Sequence, residues 1–350
     1  MNGATETGMD PAREAARFRP AHWLPGPHLQ TLWSRVLRRG PLVEMRRETW
    51  ETPDGDALEL DWVDGHAGTP LLLGLHGLEG CSKSLYMQGL VHRARARGWR
   101  SLALNFRSCA APPGRPHGTY VMNRGERLYH SGETSDLDWV VRRLVEREPE
   151  LDLRLVGVSL GGNVLLKWLG ERADEAPSQV RAAAAISAPF DLAACSRHLE
   201  SGLGPRYMRF FLKSLKRKAL DFADRYPGRI DPDAVRAART FREIDDAATG
   251  PIHGFADAAD YYTRASSLPY LARIRVPTLL VNARDDPFEP DRLLDEARER
   301  ASDRVVCAFT DRGGHVGWVV GSPWAARSWA EDLAIEWLAA GHLVRADSSV

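Results

Sequence analysis

Gly157-Val158-Ser159-Leu160-Gly161 falls between an apolar run, Leu153 to Val156, and a helix-like stretch, Asn163 to Gly170. A G-x-S-x-G placed where a strand turns directly into a helix is a nucleophile elbow. The turn dictates its own residue types. It crowds the backbone, and only residues without a β-carbon let strand and helix close in while the serine hydroxyl projects outward. The pattern thus commits its flanks to a β-turn-α unit and offers Ser159 as a nucleophile.

A second glycine turn lies upstream, His76-Gly77-Leu78-Glu79-Gly80, directly after the strand candidate Leu71 to Leu75. Acyl transfer from an ester passes through a tetrahedral oxyanion, and backbone N–H groups aimed at that oxygen usually make the largest electrostatic contribution to catalysis. The expected donors are the N–H of Leu78 and the N–H of Leu160, the residue after the nucleophile. An ordinary βα turn could carry the same letters; the order of the two turns favours the functional reading.

A serine hydroxyl is a poor nucleophile until a base takes its proton, so a histidine and an orienting acid must follow. In the α/β-hydrolase chain order the acid precedes the histidine. The apolar run Val276 to Asn282 reads as a buried strand and delivers Asp285 and Asp286 at its C-terminal end, the edge where such sheets carry their sites. The next strand candidate, Arg304 to Phe309, leads to Gly313-Gly314-His315. Of eleven histidines, His315 alone combines this position with a glycine loop, expected to be mobile. Asp286 is preferred as the acid, because Pro287 and Phe288 match the D-x-hydrophobic pattern of this loop in hydrolases. Asp285 is then a supporting or solvated carboxylate.

With these residues in view the chain resembles the α/β hydrolases of AB hydrolase family four, the YheT-like branch, which is related to mammalian enzymes of the α/β-hydrolase-domain group. The matching segments are Trp23 to Thr31 (WLPGPHLQT), His76 to Gly80, Asn105-Phe106-Arg107, Ser131 to Thr134 (SGET), Gly157 to Asn163 (GVSLGGN), Asp285-Asp286-Pro287 and Gly314-His315. They run in order from about residue 18 to about residue 320. The resemblance implies a Ser/Asp/His hydrolase of carboxylic esters, with Ser159, Asp286 and His315 as the triad. It departs at Ser108, where the family often has glycine, which concerns a local turn and not the triad.

Eight strand candidates can be read: Val43 to Glu51, Leu58 to Val63, Pro70 to Leu75, Arg100 to Asn105, Leu153 to Val158, Ala182 to Ser187, Thr278 to Asn282 and Arg304 to Phe309. Helical stretches separate most of them from the third onward. The expectation is an α/β fold with an eight-stranded, mainly parallel sheet and helices on both faces. Thr52-Pro53-Asp54-Gly55-Asp56 joins the first two strands as a tight hairpin turn. About ninety residues, 188 to 277, separate the sixth and seventh strands, far more than a βα unit needs, and predict a helical cap insertion at about 190–270.

Within that insertion, Pro205 to Phe222 sets Tyr207, Phe210, Phe211, Leu215 and Phe222 near helical spacing, with Arg206, Arg209, Lys213, Lys216, Arg217 and Lys218 elsewhere. The amphipathic basic helix has three readings. It packs as cap core, it lines an acyl pocket as a lid, or it anchors to a membrane surface, the least favoured. The arm spans residues 1–40; its segment 18–33, Phe18 to Trp33, is proline-broken and aromatic, and either packs on the single domain expected over 41–340 or walls its pocket or a partner surface. The first ten residues and the tail at 341–350, Arg345 to Val350 above all, are expected to be disordered.

Composition excludes rather than identifies. The 350 residues, 43% hydrophobic, suffice for a large core, and 47 basic against 47 acidic side chains argue against a nucleic-acid binder. Cys81, Cys109, Cys195 and Cys307 lack CxxC or metal-like spacing, implying reduced thiols and no metal site, with Cys81 the one expected near the site. No apolar run of about 18 residues and no apolar N-terminal signal region occur, so neither a membrane span nor secretion is expected and the cytoplasm is the default.

The resulting expectation is a cytoplasmic serine esterase acting without a cofactor on short- to medium-chain acyl esters or monoacylglycerols. An acyltransferase passing the same acyl-serine to an alcohol is the nearest alternative. A non-catalytic ligand-binding protein on a hydrolase fold is a second.

Overall fold

The computed structural model describes residues 9–34, 38, 40 and 42–340. The expected tail at 341–350 and residues 1–8 of the expected disordered start lie outside the described residues. Strands β1 (Arg46–Glu51), β2 (Ala57–Val63), β3 (Leu71–Leu75), β4 (Arg100–Asn105), β5 (Leu153–Val158), β6 (Val180–Ile186), β7 (Thr278–Ala283) and β8 (Val305–Thr310) form one sheet. Their order is β1-β2-β4-β3-β5-β6-β7-β8. β2 runs antiparallel to both neighbours, and every pairing from β4 across to β8 is parallel. All eight expected strands are present. The first begins at Arg46 instead of Val43, because the Gln88 side chain takes the N–H of Val43 at 2.7 Å and holds it outside the ladder. A two-residue ladder beyond β8, β9 (Val319–Val320) with β10 (Arg327–Ser328), carried no sequence signal.

Alternation along the parallel strands sorts side chains to two cores. Leu71, Leu73 and Leu75 of β3 and Leu153 and Leu155 of β5 face α4 (Ser135–Arg147), α5 (Leu160–Arg172) and α12 (Arg292–Arg300). Leu72, Val156 and Val158 face α3 (Leu85–Ala96) and α13 (Trp329–Ala340) on the other side. In the arm, α1 (Pro11–Arg17) adds Ala15 to this second core, while α2 (Pro27–Leu32) lies by the β8 loop.

Between β6 and β7 the chain forms α6 (Leu192–His198), α7 (Gly204–Arg225), α8 (Pro232–Ala237), α9 (Phe241–Ile244), α10 (Gly250–His253) and α11 (Ala258–Ala265). This layer has its own core, including Met208, Leu212, Phe222, Val235, Ile244 and Ile252. α7 extends past both ends of the expected helix, with Pro205 in its first turn, where the missing N–H costs nothing. Its stripe divides. Phe222 is fully buried, Phe211 and Leu215 are half-buried, and Phe210 is 56% exposed. Lys218, placed by its spacing off the apolar stripe with the other cations, is buried. No helix among the described residues is long and apolar enough to cross a membrane.

His76 is buried and His130 and His253 are half-buried, and desolvation lowers their pKa values from 6.5 to about 3, about 4 and about 3. Each must take up a proton on unfolding below pH 6.5, so its contribution is fully present above that pH and is lost as pH falls. His253, whose ring meets that of His130 at 4.6 Å, is the one to test. Relative to wild type, His253→Phe is expected to gain about 2 kcal/mol between pH 6.5 and 4.5, at ~1.4 kcal/mol per unit. Urea unfolding of both proteins at the two pH values checks this, and a pH-independent difference would show that folding does not lower the His253 pKa.

Candidate active site

β5 ends at Val158 and α5 begins at Leu160, leaving Ser159 alone in the turn with φ +53° and ψ −122°. An L-residue held there stores roughly 1–3 kcal/mol of strain. The surroundings over-determine it: Ser159 N–H donates to the carbonyl of Ile186 at 2.8 Å, and its own carbonyl accepts from Asn163 N–H at 3.1 Å. A β-carbon on Gly157 would lie 2.4 Å from the Gly161 carbonyl oxygen, and one on Gly161 would lie 2.4 Å from that of Leu75. The glycines are therefore required by close approach, as the motif implies.

The Ser159 hydroxyl lies 2.9 Å from Nε2 of His315, whose Nδ1 lies 2.8 Å from Oδ2 of Asp286. The other oxygen of Asp286 accepts the N–H of Phe288 at 2.8 Å. Asp285 does not reach the imidazole; its Oδ1 accepts the N–H of Gly314 at 2.8 Å. Burial, opposed by that backbone donor, raises the Asp285 pKa above the ordinary aspartate value. Three of the expected residues thus form one hydrogen-bonded chain, and the fourth braces the histidine loop.

That loop is pinned, contrary to the mobility read from its glycines. His315 N–H donates to Thr31 Oγ1 at 2.9 Å and Val316 N–H to Ser187 Oγ at 3.0 Å. Gln30 accepts the N–H of Val319 at 2.7 Å. A β-carbon on Gly314 would sit 2.4 Å from the Pro27 carbonyl oxygen, so the glycine serves close packing against α2. The arm's PGPHLQT segment is therefore a brace for the histidine. Its signal was present in the sequence, but no local pattern says which distant loop it meets.

In the turn at 76–80, Nδ1 of His76 lies 2.8 Å from the Gly77 carbonyl, which can only accept. Nε2 lies 3.0 Å from the N–H of Phe106, which can only donate. The two bonds fix a neutral imidazole with its proton on Nδ1, consistent with the lowered pKa. The turn then spends its own donors: Gly77 N–H on Tyr86 Oη at 2.8 Å, Glu79 N–H on Tyr129 Oη at 2.8 Å, and Gly80 N–H on the Gly77 carbonyl at 2.9 Å. The N–H of Leu78 takes no partner among the described residues. Leu78 and Leu160 both border the cavity at Ser159.

Two cavities meet at Ser159 and His315, of about 150 and about 630 Å³. The smaller runs under the cap between Leu160, Leu192, Leu199, Leu215, Phe241 and Tyr262. The larger is walled by α2 and α7 through His28, Thr31, Leu32, Tyr207 and Phe210. Phe211 and Phe288 border both. The arm's tryptophans pack elsewhere, Trp33 in a small cluster with Leu24 and Val319. Cys195 stands in the wall of the smaller cavity, whereas Cys81 is buried and lines neither, although its neighbours Gly80 and Lys83 line the larger.

Several motif residues now have physical duties. Asn163 donates to the carbonyls of Ser131 and Ala265, at 2.7 and 2.8 Å, and accepts from Ser267 N–H at 2.9 Å, tying the elbow helix to the cap's return. Arg107 is buried between Asp56 and Asp136, at 2.7 Å from each. Ser108 stands at φ +59°, which explains glycine as the usual residue; its Oγ compensates by accepting the N–H of Asn123 at 3.0 Å. Sequence reasoning missed Glu289, whose buried carboxyl accepts from Phe190 N–H and Asn282 Nδ2 and is raised well above the ordinary range by burial.

Residues 70–317 match the α/β-hydrolase fold family. The chain is 38% identical to YheT of Escherichia coli K12, named as an esterase, over 343 residues covering 97% of each protein. It is 29% identical to human phospholipase ABHD3 over 313 residues, covering 87% of this chain and 74% of that one. The esterase Pf2001 of Pyrococcus furiosus superposes with a TM-score of 0.53 at 18% identity, over 87% of this chain and 95% of the other, a likeness of fold alone. With the family match spanning most of the sheet and the YheT match nearly the whole chain, this protein belongs to the α/β-hydrolase superfamily and, within it, to the YheT-like AB hydrolase-4 family.

Proposed function

We propose that the chain is a serine hydrolase of carboxylic esters. The observation that carries this reading is the hydrogen-bonded run from Asp286 through His315 to Ser159. Ser159 attacks the acyl carbon as His315 Nε2 takes its proton, Asp286 holds the Nδ1–H tautomer, and the N–H groups of Leu78 and Leu160 receive the oxyanion. The imidazolium then protonates the leaving alcohol, and water, activated by the same histidine, releases the acid from the acyl-serine. The names of the relatives, esterase and phospholipase, support an ester or lipid-like substrate. The test is labelling with a fluorophosphonate followed by turnover of an ester panel from acetyl to long-chain acyl. Absence of both would overturn the reading.

The cavities support a short- to medium-chain acyl group seated against Phe211 and Leu215. Replacing both with alanine is expected to lower kcat/KM for octanoyl esters ten-fold or more while acetyl esters change little, since each buried methylene contributes about 0.8 kcal/mol. Phe210, more than half exposed at the larger cavity, contributes less. An equal loss for both esters would assign these side chains to cap packing instead of substrate contact.

A further inference from the structure

Among the buried charged clusters that the mechanism leaves unused, one reaches the turn at 76–80. Lys218 of α7 and Glu79 of the turn at 76–80 form an ion pair of 2.8 Å, each side chain only 5–6% exposed. Lys218 also meets Cys109 Sγ at 3.2 Å and lies over the rings of Tyr120 and Tyr129. Tyr129 completes the cluster, accepting the N–H of Glu79 at 2.8 Å and donating its hydroxyl at 2.7 Å to Glu79 Oε1, the oxygen that Lys218 also meets. Burial alone would raise the Glu79 pKa, but Lys218 beside it holds the carboxylate below its ordinary value. A cap cation therefore holds the side chain of one residue of the turn, and a core tyrosine holds both its side chain and its backbone N–H.

Glu79 has φ +56°, a conformation that a non-glycine residue keeps only under external constraint. It directly follows Leu78, whose N–H must point at the reacting oxygen to within a few tenths of an ångström to act. A buried pair is weak evidence for stability, because desolvation offsets much of its attraction; its use here is geometric. We propose that Lys218 and Tyr129 are positioning residues that, through Glu79, hold the Leu78 N–H on the oxyanion. The inference rests on the ester-hydrolase reading and extends it to the cap. α7 borders the substrate cavities with Tyr207, Phe211 and Leu215 and carries Lys218 further along, so the seating of the cap and the setting of the oxyanion donor share one helix.

The test uses the full chain, with active sites counted by fluorophosphonate end-point and turnover measured on acetyl and octanoyl esters. Lys218→Met is expected to lower kcat at least ten-fold per active site, toward the hundred-fold or more that follows complete loss of an oxyanion donor, with KM nearly unchanged and the same loss for both esters. Lys218→Arg, which keeps the charge, should lose less. Tyr129→Phe preserves ring volume while removing the hydroxyl that grips Glu79, and should lower kcat in the same chain-length-independent way; it decides the matter where Lys218→Met does not fold. Variants that melt earlier but keep kcat per active site within about three-fold would reduce the cluster to a structural role and overturn the proposal. So would a loss confined to KM or to octanoyl esters. A wild-type chain that neither labels nor hydrolyses esters defeats the hydrolase reading itself, a different result from an active wild type with indifferent variants.

Discussion

Ser159→Ala is expected to abolish ester hydrolysis and fluorophosphonate labelling together, with turnover falling on the order of a million-fold, because triad members act as a unit and removal of the nucleophile costs about as much as removal of all three. Alanine is the informative choice at this position. It keeps the β-carbon and hence the strain of φ +53°, so only the hydroxyl and its 2.9 Å bond to His315 are lost. Urea unfolding should register a change within about 1 kcal/mol, the range of substitutions that remove no core packing. Ser159→Gly, equally inactive, should be the more stable of the two by up to about 1–3 kcal/mol, since glycine tolerates a positive φ. Labelling that persists in Ser159→Ala would move the nucleophile to another residue.

What the sequence made legible was local. The elbow, the turn at 76–80 and the eight strands are each written in contiguous residues whose types follow from one turn or one alternation, and each lies within three residues of where it was expected. Across-chain relations were not legible in that way. Nothing around Lys218 distinguishes it from Arg217 or Lys216, yet it is buried against Glu79, 139 positions earlier. Helical spacing assigns a residue to a face, and only the partner decides whether that face is solvent or core. The glycines before His315 were misread for a related reason. Gly-Gly permits mobility when nothing packs on it, but here the absence of side chains becomes room for Trp318 at Gly313 and for Pro27 and Gln30 of α2 at Gly314. Cys195 likewise came to the site through the fold of the cap, which sequence spacing located but did not arrange.

The paired acids are where a local reading and a spatial one can be set against each other by experiment. Asp286→Asn is expected to lower turnover roughly ten-thousand-fold, the effect of presenting the wrong tautomer to the nucleophile. The asparagine oxygen can still accept the N–H of Phe288, which occupies Oδ1 of the native aspartate. The position facing the imidazole then carries an N–H donor, so Nδ1 must accept and the proton moves to Nε2, where it blocks removal of the serine proton. Asp285→Asn leaves the partner of the imidazole in place. Its oxygen can go on accepting the N–H of Gly314, the bond that braces the histidine loop, so turnover should fall by less than about ten-fold. The comparison is made by steady-state turnover of one acetyl ester with active sites counted by labelling, which removes differences in folded fraction. If Asp285→Asn proved the more damaging, the orienting role would pass to Asp285 and the histidine loop would have to adopt, during turnover, a different setting from the one held here by Thr31, Ser187 and Gly314.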